Sequence, residues 1–383
     1  MNYETEPDLK IAIDPVTNDP IGLAEGEEVA LFAASYCVDG RLNDIVPGFD
    51  APFYQAGLAG YSDAAMRITA RRHGCPFCMT EAILDRMVIT PGKARSKADL
   101  AVIRDNVPGS EEDHPIGGQI IGAQPDEMAE AAKVLVDMGY DLIDVNFACP
   151  VKKIGRKFRG GHFLSHASDA LEVLRSVREV VPMDIPTTVK LRRGASDDEE
   201  SAEQFYTIFD AAYDYGYAWT TVHGRTVKQK YNGPSNWEFL RKLVERYPER
   251  IILGSGDIYC AADIFRMLSY TKVQGVSVAR GCIGNPWIFR EARIFMGGEV
   301  PGKPTLAEQR DVLLEHFKLC CAEHGEKQAG KLMRKFAIYF SRHHPEAGAV
   351  KDAFIKVKTP EDWKEVISGY YEMEVAEGAA KTL

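Results

Sequence analysis

Residues 144–161 read DVNFACPVKKIGRKFRGG. Cys149 and Pro150 end an apolar run, and Lys152, Lys153, Arg156, Lys157 and Arg159 follow at once. A cysteine beside that much positive charge is expected to have a lowered pKa and thiolate character. A thiol that titrates near neutrality can also act as a general acid. The ordinary alternative is a small packed hydrophobe. The basic run is either a solvated loop or a grip for a polyanion, and Gly160-Gly161 beside it reads as a mobile joint.

Other residues of chemical interest are scattered along the chain. Lys190, in TTVKLRRG, places a charge at the end of an apolar strand, where an unpaired ammonium is costly. It needs an anionic partner: the N1/C2 edge of a reduced flavin, or a carboxylate such as Asp144. Gln119 is an amide inside the apolar run IGGQIIG and wants partners on both sides. A flavin pyrimidine ring offers them, as do neighbouring core polar groups. His223 has the same two readings. Gly254-Ser255-Gly256 and Arg280-Gly281 let backbone approach a ligand, and Arg280 can fork onto a phosphate. Together they point to a phosphorylated cofactor. No Ser/His/Asp triad motif and no His-x-x-x-His metal spacing is visible, and no metal is expected.

The elements that must position these residues alternate regularly. Candidate strands fall at 53–58, 76–81, 116–122, 142–146, 187–191, 218–222, 250–255 and 275–279. Most are continuous apolar or β-branched runs, which suits strands buried on both faces. Helical stretches lie between them. Ser62 and Gly74 are expected to bracket the first. Met128, Ala131, Ala132, Leu135 and Met138 share a face of another. Eight strand–helix alternations predict a (β/α)₈ TIM barrel over residues 51–301, with a doubly wound sheet as the alternative. On a barrel, Asn146, Cys149, Lys190, Arg192, His223, Arg225, Ser255-Gly256-Asp257 and Arg280-Gly281 all reach the rim at the C-terminal ends of the strands. After residue 302 the strands stop. A small all-helical C-terminal domain, 302–383, is predicted from the capping box at Thr305–Glu308 and from Pro360 at a helix start.

The chain has 383 residues and a net charge of −10, an apparent argument against a nucleic-acid partner. The charge is uneven. Residues 1–50, read as an acidic N-terminal extension, hold 11 acidic and 2 basic residues, whereas 327–358 hold 8 basic and 2 acidic. Counter-ion release depends on the local basic surface, so RNA binding stays open. The basic helix of Lys327, Lys331, Arg334, Lys335 and Arg342 offers a second anchor beside Lys152 and Lys153. No apolar stretch approaches membrane-spanning length and no leader is visible, so a cytoplasmic protein, a monomer with no membrane partner, is expected. The eight cysteines read as free thiols, and the Cys75-x-x-Cys78 pair as packed and inert rather than redox-active.

At this point the residues resemble a family. DVNFACPVKK, TVKLRRG, VHGRTVKQKYNGPSNW, GSGDI and VARGCIGNPWIF, in this order, are similar to motifs of the tRNA-dihydrouridine synthases. LAGYSDAAMR looks like the segment after that family's first strand, and MRKFAIYFSRHHPEAG like the core of its helical tRNA-binding domain. The resemblance covers about residues 51–370.

The resemblance implies an FMN-dependent barrel that reduces uridine in tRNA with NADPH. Hydride would pass from flavin N5 to uracil C6 while Cys149 protonates C5. It implies Gln119, Lys190 and His223 at the flavin ring, with Ala56 and Leu58 alongside. Ser255, Gly256, Asp257, Ala279 and Arg280 would lie at its phosphate. Arg192 and Tyr231 would contact the uridine, Asn146 the uridine or the flavin, and Lys152, Lys153, Arg334 and Lys335 the tRNA. Ala56-Gly57-Leu58 stands where the family has Ala-Pro-Met, Phe147-Ala148 where Met-Gly is common, and Ala279 where glycine is frequent. Two rival readings are an FMN barrel acting on a free pyrimidine or enoyl substrate, and a non-catalytic RNA-binding protein.

Overall fold

The computed structural model describes residues 22–89 and 110–371. Eight parallel strands form its centre: β1 (Phe53–Gln55), β2 (Cys78–Met79), β3 (Ile116–Ile121), β4 (Leu142–Asn146), β5 (Thr187–Arg192), β6 (Trp219–His223), β7 (Ile252–Ser255) and β8 (Gly275–Val278). Each pairs with its sequence neighbour. β8 returns to β1 through Phe53↔Val276, and β2 joins β3 through Cys78↔Ile116, so the sheet closes into a TIM barrel. Nearly every strand residue is buried, because helices cover the outside and side chains fill the inside. A further two-residue strand, Ile83–Leu84, pairs with the outer end of β3.

Two expected strands come out short: β1, and β2, which keeps only Cys78–Met79 of the expected 76–81. β1 stops at Gln55 instead of running to residue 58. The chain turns off the sheet there, and the Leu58 amide donates to Ser62 Oγ (2.7 Å). A Cβ on Gly57 would lie 2.2 Å from the Thr80 carbonyl oxygen, so the close approach of the two segments requires glycine. The same use of Ser62 displaces the predicted helix cap. Its hydroxyl belongs to the turn, and the helix Ala64–Arg72 is capped by Asp63, which accepts from the Met66 amide (2.9 Å). Gly74 follows that helix with φ +89°. In the helix Pro125–Asp137 the buried residues are Met128, Ala131, Ala132 and Leu135.

The described part of the acidic N-terminal segment is packed. The helix Gly40–Ile45, with Val46 and Phe49, closes the N-terminal end of the barrel. Leu42 and Phe49 cover Tyr54, Phe77, Leu142, Trp219 and Leu253 there, as one apolar cluster. The helix Gly26–Ser35 buries Val29, Ala30 and Ala33 against the outer helices Ala261–Thr271 and Trp287–Met296.

Four helices follow the barrel: Leu306–His324, Glu326–Phe340, Ala347–Lys356 and Pro360–Tyr371. The first has the expected capping box, with Thr305 accepting from the Glu308 amide (3.2 Å). Trp363, stacked on Phe317 and tilted against Phe354, anchors their core. The helices dock on the barrel beside β1 and β8, through Arg72–Glu315 (2.6 Å) and through Arg342, which donates to the carbonyls of Gly281 and Ile283. No described helix is long and apolar enough to cross a membrane.

Candidate active site at the barrel mouth

The strand register brings the candidates together. Asn146 lies opposite Lys190, Arg192 opposite His223, and His223 opposite Ser255. Gln119 sits one strand away from Asp144. Residues more than a hundred positions apart thus share one rim.

A chain of hydrogen bonds orders the β3–β5 side. Thr188 Oγ1 donates to Asp144 Oδ1 (2.7 Å) and Gln119 Nε2 donates to Asp144 Oδ2 (2.7 Å). Asn146 Nδ2 then donates to Gln119 Oε1 (2.7 Å). Asn146 Oδ1 accepts the amides of Ala148 (2.9 Å) and Cys149 (3.1 Å). Asn146, expected as a substrate contact, is therefore the residue that turns the chain after β4 and fixes Cys149.

Arg192 completes that frame. Its Nε donates to the Ala148 carbonyl (2.8 Å), and Nη1 to the carbonyls of Thr226 (3.0 Å) and Lys230 (2.7 Å). It is buried, and burial pushes its pKa down to about 10. The expected uridine contact thus ties the Cys149 loop to the loop after β6. Tyr231, 45 % exposed, places its ring 5.6 Å from this guanidinium and 5.1 Å from that of Arg280.

The expectation of a thiolate at Cys149 is overturned. The thiol is half-buried, and burial pushes its pKa up. The Val151 amide and the Arg192 charge pull the other way without reversing it. Lys152, Arg156 and Lys157 point into solvent, and Arg159 turns away to Asp85 (3.1 Å). The Lys153 side chain lies outside the described residues. Desolvation therefore outweighs charges that are sequence neighbours but spatially screened. The adjacent glycines are also not a loose joint. A Cβ on Gly160 would sit 2.9 Å from Cys149 Cβ, and the Gly161 amide donates to the Cys149 carbonyl (3.0 Å).

Lys190 is a half-buried ammonium whose Nζ reaches Ser277 Oγ at 3.4 Å. Burial lowers its pKa to about 8, with Asp144 opposing from beyond direct contact. His223 is driven well below its ordinary range by burial and by the charges of Arg192, Lys190, Arg225 and Arg280. It is neutral, and its Nδ1 accepts from the Arg225 amide (3.1 Å), which leaves the proton on Nε2.

The loops after β7 and β8 pack on each other. Gly256 has φ +114°, and Trp237 Nε1 donates to its carbonyl (3.0 Å). A Cβ there would collide with Ser235 and approach His223. Ser255 is buried below it, and Ala279 leads directly into the short turn Arg280–Cys282. Asp257, expected in a phosphate-binding loop, holds two arginines through its side chain. Its carboxylate accepts from Arg225 Nη2 (2.7 Å) and Arg280 Nη2 (3.3 Å). Arg225 Nη1 is buried without a partner among the described residues. The spare cationic donors of Lys190 and Arg225 fit an anionic, phosphorylated ligand.

On the helical unit, Arg334 is exposed as expected, but Lys335 is not free. It donates to the Gly60 carbonyl and lies 4.9 Å over the Tyr61 ring, pinning the turn that carries Ala56 and Leu58. Arg225 is expected on the rim after the sixth strand but without a role, and Trp237 is a site residue that sequence reasoning did not single out. Cys75 and Cys78 are buried free thiols, sulfurs 3.9 Å apart, and burial drives Cys78 far above its ordinary range.

Burial also raises the Asp144 carboxyl from 3.8 to about 6. Its contribution to stability is present below pH 3.8 and is lost as pH rises through about 6, because the unfolded chain releases this proton earlier. Asp144→Asn lacks that loss. Between about pH 4 and pH 7 the ligand-free variant should gain on the wild type by on the order of 1–3 kcal/mol in urea unfolding. Parallel pH curves for the two proteins would contradict the assignment.

A family model described as dihydrouridine synthase matches residues 54–374. The chain is 30 % identical over 325 residues to a probable tRNA-dihydrouridine synthase of Mycobacterium tuberculosis, covering 81 % of this chain and 79 % of that protein. It is 29 % identical over 323 residues to tRNA-dihydrouridine synthase B of Xanthomonas axonopodis pv. citri, covering 84 % and 93 %. Among solved structures, histamine dehydrogenase from Rhizobium sp. 4-9 superposes with a TM-score of 0.51 at 13 % identity, a likeness of fold. That match covers 70 % of this chain and 49 % of the other, so the chain spans about half its length.

Proposed function

The chain belongs to the dihydrouridine synthase family, and from that membership we propose that it reduces specific uridines of tRNA to 5,6-dihydrouridine, with FMN in the barrel mouth and NADPH as reductant. Saturating the 5,6 bond takes a hydride at C6 and a proton at C5. FMN supplies the hydride chemistry when bound. Lys190, His223 and Gln119 would hold its ring, with Ala56 and Leu58 beside it, and Ser255, Gly256, Ala279 and Arg280 its phosphate. Asp257 acts through Arg225 and Arg280, since a carboxylate on a phosphate would repel it.

Cys149 holds the proton destined for C5. Burial keeps the thiol protonated, and Asn146 and Arg192 keep its backbone in place. The target uridine leaves its stack to enter, at a cost of about a few kcal/mol that backbone contacts offset. Tyr231, Arg334 and Lys152 are exposed and suited to RNA. Residues 302–383 serve as the tRNA-docking unit of the barrel 51–301, with 1–50 as an N-terminal extension. The enzyme works as a cytoplasmic monomer.

The observation that carries this reading is the half-buried thiol of Cys149, fixed in the loop after β4 by Asn146, which lies opposite Lys190. Incubation of the purified protein with NADPH and dihydrouridine-free tRNA tests it. Discrete uridines should be reduced, and the protein should show a flavin spectrum. Colourless protein that leaves every uridine intact would end the proposal.

A further inference from the structure

A second cavity opens on the same rim, between the loops after β3 and β4. Its volume is about 330 Å³, and its lining includes Arg86, Met87, Gln124, Lys157, Phe158 and Arg159. That volume lies in the range of small-molecule and nucleotide sites. It adjoins the Cys149 loop, because Gly160, next to Arg159, packs against both Cys149 and Ile121.

Three features suit a nucleotide. Phe158 is 63 % exposed and held at φ +57°, a backbone conformation costly for a bulky residue, which keeps its ring out of the core. The ring continues as a ridge. Phe158 meets His162 edge-on at 5.1 Å, and His162 stacks on His166 at 4.0 Å. Arg159 is buried on the cavity wall with its Nε unpartnered among the described residues, while its Nη2 is held by Asp85 (3.1 Å). Gln124 is exposed, and its side chain does not cap the helix that follows it, which leaves its amide for a base edge. Lys157 is exposed and supplies the phosphate contact; Arg86 is shared with Glu127 (2.8 Å).

We propose that this cavity binds an unpaired RNA nucleotide flanking the uridine being reduced, its base on Phe158 and its phosphate on Lys157. The inference rests on the tRNA reading above. A line of rings suits successive bases of a strand, whereas one free nucleotide would use only the first.

The test is tRNA affinity of the full-length, FMN-loaded protein, by fluorescence anisotropy with labelled dihydrouridine-free tRNA. Phe158→Ala should raise Kd about tenfold, and Phe158→Trp should restore it, since stacking and not shape is lost. Lys157→Ala should lower the slope of log K against log salt by about 0.7. Unchanged affinity in Phe158→Ala overturns the proposal. So does slowed flavin bleaching by NADPH with tRNA affinity intact, which would assign the cavity to the reductant. A wild type that binds tRNA through Phe158 yet reduces no uridine would sink the proposed function and leave the cavity's role standing.

Discussion

Replacing Cys149 with alanine lowers uridine turnover by about 100- to 10,000-fold, the range set by loss of a positioned general acid, and leaves flavin binding in place. The thiol stands on a loop whose geometry comes from elsewhere. Asn146 Oδ1 holds its amide, the Gly161 amide holds its carbonyl, and Arg192 holds the carbonyl before it. Alanine keeps all three contacts and removes only the sulfur. The residues assigned to the cofactor sit on or just after β1, β3 and β5–β8 and are untouched. Because burial holds the thiol above its ordinary range, the wild-type rate should persist through neutral pH and fall only in the alkaline region, where the acid is lost. A thiolate at neutrality would move that fall below neutral pH. Single-turnover reduction of tRNA by pre-reduced enzyme measures both effects, and full turnover by the alanine variant would remove Cys149 from the chemistry.

Asp113→Asn should cost about 3–5 kcal/mol in urea unfolding. Arg67 and Asp113 are both fully buried, joined by Nε to Oδ1 (3.0 Å) and Nη2 to Oδ2 (2.7 Å). The neutral amide leaves the guanidinium in the core without its carboxylate, where desolvation is no longer offset. Arg67 also donates to the Ser62 carbonyl (2.7 Å), so the turn carrying Leu58 and Gly60 should loosen and flavin affinity should fall with stability. Replacing both partners with apolar residues, Arg67→Met with Asp113→Leu, should recover part of the loss, since no charge is then stranded. A change under about 1 kcal/mol in Asp113→Asn would show the pair to be dispensable.

The strand set was legible in the sequence, down to the exact span Leu142–Asn146, because apolar runs and helix caps are local signals. So was the convergence of Asn146, Cys149, Lys190 and His223, which follows from barrel topology once the strands are known. Ser62 failed as a cap because a turn from Leu58 claimed its hydroxyl. Lys335, expected to contact RNA, reaches a carbonyl of the turn after β1, a partner that its place in the sequence does not reveal.

The linear chain by itself determined the barrel, the helical unit and the residue types available at the mouth, since each depends on periodicity and near-neighbour chemistry. Only the folded arrangement decided which charge acts on which group. The described cations beside Cys149 in the chain are not among the groups that shift its thiol, whereas burial raises it and Arg192 from the next strand opposes that shift. Desolvation and Coulomb energies depend on distance through space and on exclusion of water, and neither is fixed until segments far apart in the chain have packed.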